Sequence, residues 1–187
     1  NVIRAYKQNK KKIKKIIQIS SSEVYGNTIS SKIKVLSENL KLRSESPYAA
    51  SKIAADYLAI TSYRSDDTPI VVARPFNTFG PRQSLRAVIP TIITQLIKSK
   101  NKKIKIGNIN SSRDFVYVKD TVEGLIKLLY SKKVVGEVVN ISSNNSFSIK
   151  EIIRILSNYT NSKPKIIIEN KRLRKSELNK LHGSNKK

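Results

Sequence analysis

Two apolar runs and the helix-like stretch between them constrain the fold most. Lys15-Ile16-Ile17-Gln18-Ile19-Ser20 and Ile70-Val71-Val72-Ala73 each read as a short buried strand. Between them, residues 47–64 carry Ala50, Ile53, Ala54, Tyr57, Leu58 and Thr61 along one helical face. Strand, helix and strand with no tight turn between them form the unit of a parallel sheet. In open sheets of this kind ligands sit beyond the carboxyl ends of the strands. The residues at those ends are therefore the first place to look for chemistry.

The first strand runs directly into Ser20-Ser21-Ser22-Glu23-Val24-Tyr25-Gly26, and the second ends at Arg74-Pro75-Phe76-Asn77. The helix opens with Ser46-Pro47-Tyr48-Ala49-Ala50-Ser51-Lys52. Pro47 suits the first helical turn, where a missing N–H is harmless, and Ser46 before it can cap that turn. Tyr48 and Lys52 are then four apart and share one face. A free tyrosine titrates near ~10, so a phenolate base near neutrality needs a shift of about three units, roughly 4 kcal/mol. A lysine one turn away supplies part of that stabilisation. Tyr-x-x-x-Lys alone arises by chance in many helices; the hydroxyl-and-carboxylate run upstream gives it weight.

The remaining pattern continues the alternation. Residues 1–12 read as the last turns of a helix, and residues 26–44 as a polar, irregular active-site loop. A helix is expected over 87–99, short strands over 103–106 and 115–118, and a helix capped by Asp120 running to about Tyr130. Residues 137–141 form another strand, Ser148 caps a helix over 149–159, and 165–168 form a last strand. The tail from Glu169 is charged and short of apolar residues.

The chain has 187 residues, 39% of them hydrophobic, which fits one domain with a core of its own. There is no cysteine and no apolar run approaching the ~18 residues of a membrane span, and the opening residues do not read as a secretory signal. These features suit a protein of the reducing cytoplasm with no membrane partner. The net charge of +24 invites a nucleic-acid reading. The lysines, however, are spread along the chain, at 10–12, 14–15, 98–105 and 186–187, without interleaved aromatics. A solvated basic surface with nonspecific polyanion affinity at low salt is expected, not a specific nucleic-acid site.

Taken in order, five motifs carry a family resemblance. They are Ser20-Ser-Ser-Glu-Val-Tyr-Gly26, Ser46-Pro-Tyr-Ala-Ala-Ser-Lys52, Arg74-Pro-Phe-Asn-Thr-Phe-Gly-Pro-Arg-Gln83, Arg113-Asp-Phe-Val-Tyr-Val-Lys-Asp120 and Asn140-Ile-Ser142. In this order they resemble the extended short-chain dehydrogenase/reductases, in particular the NAD-dependent nucleotide-sugar epimerase/dehydratase family. The resemblance runs over nearly the whole chain. It implies an α/β, doubly wound, Rossmann-like parallel sheet over about 1–82, followed by a small substrate-binding α/β portion over about 83–187.

The resemblance also implies roles. Tyr48 would take the sugar O4 proton, Lys52 would lower the Tyr48 pKa and hold the nicotinamide ribose, and Ser21 would hydrogen-bond near O4. Pro75 would lie at the cofactor. Glu23 would remove the C5 proton, and Ser22 with Glu23 would assist loss of the C6 hydroxyl. Asn77, Arg86, Arg113 and Arg174 resemble residues that grip the diphosphate and nucleoside. The cofactor implied is NAD, with NADP possible; the ligand is a nucleoside-diphosphate sugar, and relatives are commonly homodimers. The Ser22-Glu23 pair resembles 4,6-dehydratases, leaving a 4-epimerase or a UDP-glucuronate decarboxylase-type enzyme as alternatives. Other readings stay open: Glu23 as a capping or salt-bridging residue, Asn77 as a turn residue, Arg113-Asp114 as a surface ion pair. His182 reads as an incidental tail residue.

One family element is missing. The six glycines, at 26, 80, 107, 124, 136 and 183, never fall within ten residues of each other, so no glycine-rich dinucleotide turn exists. The chain is therefore expected to correspond to the back part of the fold, without its first strands and without a pyrophosphate or adenosine site. Impaired turnover of the isolated chain follows, and a noncatalytic remnant or basic polyanion-binding module is the alternative of another class. Smaller departures are Lys41 and Ser44 where relatives carry prolines, and Ser142-Ser143-Asn144 where they carry Gly-Ser-Gly. Asn144 would serve there as the best substitute for a glycine at positive φ.

Overall fold

A computed structural model describes residues 2–30, 32–98, 103–173 and 178–187. The chain begins with α1 (Val2–Gln8), β1 (Ile16–Ile19), a 3₁₀ turn at Ser22–Tyr25, α2 (Pro47–Asp66), β2 (Ile70–Pro75) and β3 (Asn77–Phe79). It continues through α3 (Val88–Lys98), β4 (Lys103–Ile106), β5 (Ser112–Arg113), β6 (Phe115–Tyr117) and α4 (Val118–Tyr130). The last elements are β7 (Val138–Ile141), β8 (Phe147–Ser148), α5 (Ile149–Tyr159), β9 (Lys165–Ile168) and β10 (Lys180–Leu181).

The central sheet is parallel, in the order β1-β2-β7, with Ile16 opposite Ile70 and Val72 opposite Val138. Side chains alternate across it, as the two-residue period of a strand requires. Val71, Ala73, Val139 and Ile141 face Leu125 and Leu128 of α4, while Ile70 and Val72 face Ala59, Ile60 and Tyr63 of α2. Helices thus cover both faces, the doubly wound arrangement expected from strand, helix and strand.

Helix α2 differs from expectation in which face it buries. Tyr57 and Leu58 are 62% and 66% exposed, and Ala50, Ala54 and Thr61 face solvent with them. The buried positions are Ala49, Asp56, Ala59 and Ser62. The helix lies flush on the sheet through small residues, and its one buried charge is paired, so hydrophobicity alone did not mark the inner face.

A second, smaller core forms where α3 and α5 pack on the parallel pair β4–β9. Ile92, Ile104, Ile106, Ile149 and Ile153 fill it, flanked by Leu96, Leu156 and Ile166. Helix α5 starts as expected. Ser148 Oγ accepts from Glu151 N at 3.1 Å and the Glu151 carboxylate accepts from Ser148 N at 2.7 Å, a reciprocal capping box. Helix α4 starts three residues earlier than a cap at Asp120 would have it. β6 runs directly into the helix, Tyr117 occupies the cap position with no side-chain bond, and Asp120 falls in the first turn, still favourable to the helix dipole.

The tail is not a loose charged end. β10 pairs in parallel with β5, Leu178 and Leu181 are buried, and Leu36 is sandwiched between His182 and Ser184. Leu36 N donates to His182 O at 2.7 Å and Ser184 N donates to Leu36 O at 2.9 Å. No described helix is long and apolar enough to cross a membrane.

Candidate active site

Between the carboxyl ends of the central strands and the small core lies a cleft of about 820 Å³. Glu23, Glu45, Ser46, Tyr48 and Ala49 line one wall. Asn77, Thr78 and Gln83 line it beyond β2, and Arg86, Arg113, Lys171 and Arg172 line it from loops and strands around the small core. Among the sequence-expected residues the fold therefore brings Glu23, Tyr48, Asn77, Arg86 and Arg113 to one cavity. Ser21, Ser22, Lys52 and Pro75 are not among its lining residues. Arg174 lies outside the described residues.

The wall that carries Glu23 is built by a short capped turn. Ser21 Oγ accepts from Glu23 N at 3.2 Å, and the 3₁₀ turn ends at Gly26, whose φ is 55°. A Cβ at Gly26 would sit 2.5 Å from Arg43 O, so both the conformation and the contact demand glycine. Ser22 is 3% exposed and does not line the cleft itself.

The opening of α2 follows the sequence reading closely. Ser46 Oγ accepts from Ala49 N at 3.1 Å, and Pro47 occupies the first turn. Tyr48 is 50% exposed, and Lys52 Nζ stands 5.8 Å from its ring centre on the same helical face. Lys52 Nζ also donates to Ile19 O at 3.0 Å, which fixes the ammonium at the carboxyl end of β1.

Beneath the cleft a buried polar network joins these two parts, and the motif reading missed it. Arg74 and Asp56 are 4% and 2% exposed as side chains, with Nε and Oδ2 3.0 Å apart. Arg74 also donates through an Nη1 hydrogen to the Tyr25 hydroxyl at 3.1 Å, and Tyr25 donates to Asn140 Oδ1 at 2.7 Å. Asn140 Nδ2 donates in turn to Leu36 O at 3.0 Å. Burial raises the Tyr25 pKa, against the lowering effect of the Arg74 charge, so the phenol stays a donor. Asp56 lies on α2 one turn beyond Lys52, and Tyr25 closes the turn that carries Glu23. One guanidinium therefore holds both halves of the candidate machinery in register. A signal was present: Arg74 immediately follows an apolar strand, where a charge needs a partner.

Two amide side chains in the cleft carry unpartnered oxygens, besides the ion-paired Glu45 Oε1. Asn77 N donates to Asp114 O at 3.0 Å, but Asn77 Oδ1 is buried without a hydrogen-bond partner. Gln83 Nε2 donates to Thr78 O at 2.9 Å, while its Oε1 is likewise unmatched. Buried polar atoms are normally satisfied, so two in one cavity mark a place where a ligand supplies donors. Arg113 donates through Nη1 to Ser112 O at 2.8 Å. Arg172 Nε pairs with Glu169 Oε2 at 2.6 Å, and a Cβ on neighbouring Gly107 would sit 2.8 Å from Arg172 O.

Arg113-Asp114 is not a surface ion pair. Asp114 is fully buried and accepts from Ser143 N at 2.9 Å, Ser143 Oγ at 2.7 Å and Gly183 N at 3.3 Å. It clips the turn after β7 to the tail. Asn144 in that turn has φ 58°, the left-handed conformation expected of it. His182, outside the cleft lining, has Nε2 3.1 Å from Asn144 O.

With this geometry in view, comparison with known proteins is informative. The model of the family described as GDP-mannose 4,6 dehydratase matches residues 1–187. A GDP-6-deoxy-D-mannose reductase of Pseudomonas aeruginosa is 31% identical over 172 residues, covering 90% of this chain and 56% of the relative. The human dTDP-D-glucose 4,6-dehydratase is 33% identical over 156 residues, covering 81% of this chain and 43% of the relative. Among solved structures, UDP-glucuronic acid 4-epimerase of Bacillus cereus, in complex with UDP-glucuronic acid and NAD, superposes with a TM-score of 0.86 at 28% identity. That match covers 98% of this chain and 56% of the other. The dTDP-glucose 4,6-dehydratase of Bacillus anthracis, in complex with NAD, gives 0.85 at 26% identity, with 98% and 56% covered. The chain spans about half the length of these relatives, and by the family match over all 187 residues it belongs to the NAD-dependent epimerase/dehydratase family of short-chain dehydrogenase/reductases.

Proposed function

We propose that this chain carries the catalytic and sugar-nucleotide-binding part of a nucleotide-sugar 4,6-dehydratase. The observation that supports it most is a single cleft lined by Tyr48 and Glu23, by two unmatched amide oxygens, and by arginines from other elements. A nucleoside-diphosphate sugar matches that lining: its hydroxyls and base N–H groups satisfy Asn77 and Gln83, and its phosphates suit the guanidinium forks of Arg86 and Arg113. Arg174 belongs to the same reading through its motif.

Tyr48 accepts the proton of the sugar 4-hydroxyl. The Lys52 ammonium, held by Ile19 O on the same helical face, stabilises the phenolate that this requires. Ser21 Oγ accepts from Glu23 N, which leaves its own hydrogen available to the sugar O4. Once C4 is a ketone the C5 proton is acidic, and Glu23 removes it. The same carboxyl then returns a proton to the departing C6 hydroxyl. Ser22, next to Glu23 in the same 3₁₀ turn, supports the carboxyl in this step.

NAD or NADP, when bound, supplies a hydride acceptor for C4. The residues present fit its nicotinamide-ribose end only: the half-exposed Tyr48 and the Lys52 ammonium stand at the carboxyl end of β1, and Pro75 ends β2, the strand paired with it. No glycine-rich turn is present for its pyrophosphate. Glu23 favours dehydration over 4-epimerisation, which needs no acid at that point.

Isothermal titration of the chain with GDP-mannose and dTDP-glucose tests the reading. Binding of at least one of them, lost in Arg86→Ala, is expected; no binding at millimolar ligand refutes it. Because the chain has no glycine-rich turn for the pyrophosphate, turnover is followed by mass spectrometry for loss of water in a fusion of this chain behind the NAD-binding half of a family member. Glu23→Gln should stop dehydration, and unchanged dehydration there defeats the assignment of Glu23.

A further inference from the structure

The lining of the cleft is divided by charge. Both acidic side chains, Glu23 and Glu45, lie on the wall formed by the 3₁₀ turn and the approach to α2, beside Tyr48. The basic ones, Arg86, Arg113, Lys171 and Arg172, come from the other elements. Glu45 is absent from every motif in the sequence and has no part in the proton transfers above.

Its position is nonetheless well defined. The Glu45 side chain is 21% exposed and packs over Gly26, where a Cβ would lie 3.1 Å from Glu45 Cγ. Arg43 Nε approaches Glu45 Oε1 at 2.7 Å, with the Arg43 side chain 65% exposed and outside the cleft lining. Glu45 Oε1 is buried and carries no hydrogen bond, so Arg43 holds it as an ion pair only, and Glu45 remains part of the cavity lining.

Resting on the reading of the cleft as a sugar-nucleotide site, we propose that Glu45 is a specificity-determining residue. With Glu23 it makes the glycosyl end anionic, so the site takes a nucleoside diphosphate carrying a neutral, hydroxyl-bearing hexose and rejects the corresponding uronic acid. A carboxylate accepts hydrogen bonds from sugar hydroxyls, whereas a second carboxylate at C5 would face two like charges in a partly desolvated cavity. The diphosphate, gripped by basic residues of other elements, is unaffected by this filter.

The test is a set of isothermal titrations of the full 187-residue chain with UDP, UDP-glucose and UDP-glucuronic acid, and with GDP, GDP-mannose and GDP-mannuronic acid. In whichever series binds, the hexose should bind about tenfold or more tighter than the uronate. Glu45→Gln should shrink that ratio and leave affinity for the free nucleoside diphosphate unchanged. Arg43→Gln, which strips Glu45 of its cation and leaves the cleft wall intact, should widen it. Equal affinity for hexose and uronate, or a ratio indifferent to both substitutions, overturns the proposal while leaving the sugar-nucleotide site standing. Failure of UDP, GDP and all four sugars to bind overturns the reading of the site and this proposal with it.

Discussion

The Arg74–Asp56 pair makes a quantitative prediction. Both side chains are nearly inaccessible, Nε and Oδ2 are 3.0 Å apart, and Asp56 Oδ1 has no hydrogen-bond partner among the described residues. Asp56→Ala leaves a guanidinium buried with only the Tyr25 hydroxyl beside it. Removing one partner of such a pair costs about 3–5 kcal/mol. With a urea m-value of about 2 kcal/mol/M, the unfolding midpoint should fall by roughly 2 M. Arg74→Met alone should be similarly damaging, since it strands Asp56 and also removes the bond to Tyr25, worth about 1 kcal/mol. The double variant Asp56→Ala/Arg74→Met removes both desolvated charges, and should recover most of the loss because the native pair is incompletely satisfied. Urea unfolding followed by far-ultraviolet circular dichroism and tyrosine fluorescence reads all four corners of the cycle, as the chain has no tryptophan. A loss below about 1 kcal/mol for Asp56→Ala, or additive losses in the double variant, would refute the argument that the pair is a desolvated, mutually dependent clamp.

Further outcomes follow from features already described. Burial raises the Tyr25 pKa above its ordinary value near 10, so stability holds below pH ~10 and falls as pH rises through the folded value. Tyrosinate absorbance should show a late alkaline step that Tyr25→Phe removes. Ser148→Ala breaks the capping box of α5 and should lower stability by about 1 kcal/mol, read as a lower thermal midpoint. The Ser148 hydrogen bonds hold the Glu151 pKa below its ordinary value, so the stabilisation present above the unfolded pKa is lost as pH falls through the folded one. Gly136→Ala should destabilise strongly, because φ is 80° and the new Cβ would meet the Tyr63 ring at 2.1 Å. Affinity for duplex DNA should fall steeply with salt and show no sequence selectivity; selective binding surviving at physiological salt would contradict a merely solvated basic surface.

What could be read from the sequence, and what could not, follows a physical line. Apolar runs such as Ile70 to Ala73 are long enough and local enough to announce a buried parallel strand. Ser46 and Ser148 announce their helices because a cap acts within three residues. The inner face of α2 was misread because Asp56 is buried only by virtue of Arg74, eighteen residues away in sequence and brought near by the fold. Asp114 was misread for the same reason: its partners, Ser143 and Gly183, are distant donors that no local pattern reveals. In the cleft, Tyr48 and Glu23 were legible from their motifs, whereas Glu45 and Arg172 reach it through loop geometry alone.

The strap formed by the tail has a consequence for biosynthesis. Asn179 N bonds Asn27 Oδ1 at 3.1 Å across 152 residues, and Leu36 is held by His182 and Ser184. The polar segment leading to Tyr48 therefore leaves the ribosome long before the residues that pin it. At about 5–20 residues per second, its fastening strand emerges on the order of ten seconds later. Throughout that interval a nascent chain would present the segment to proteases and chaperones as a free loop.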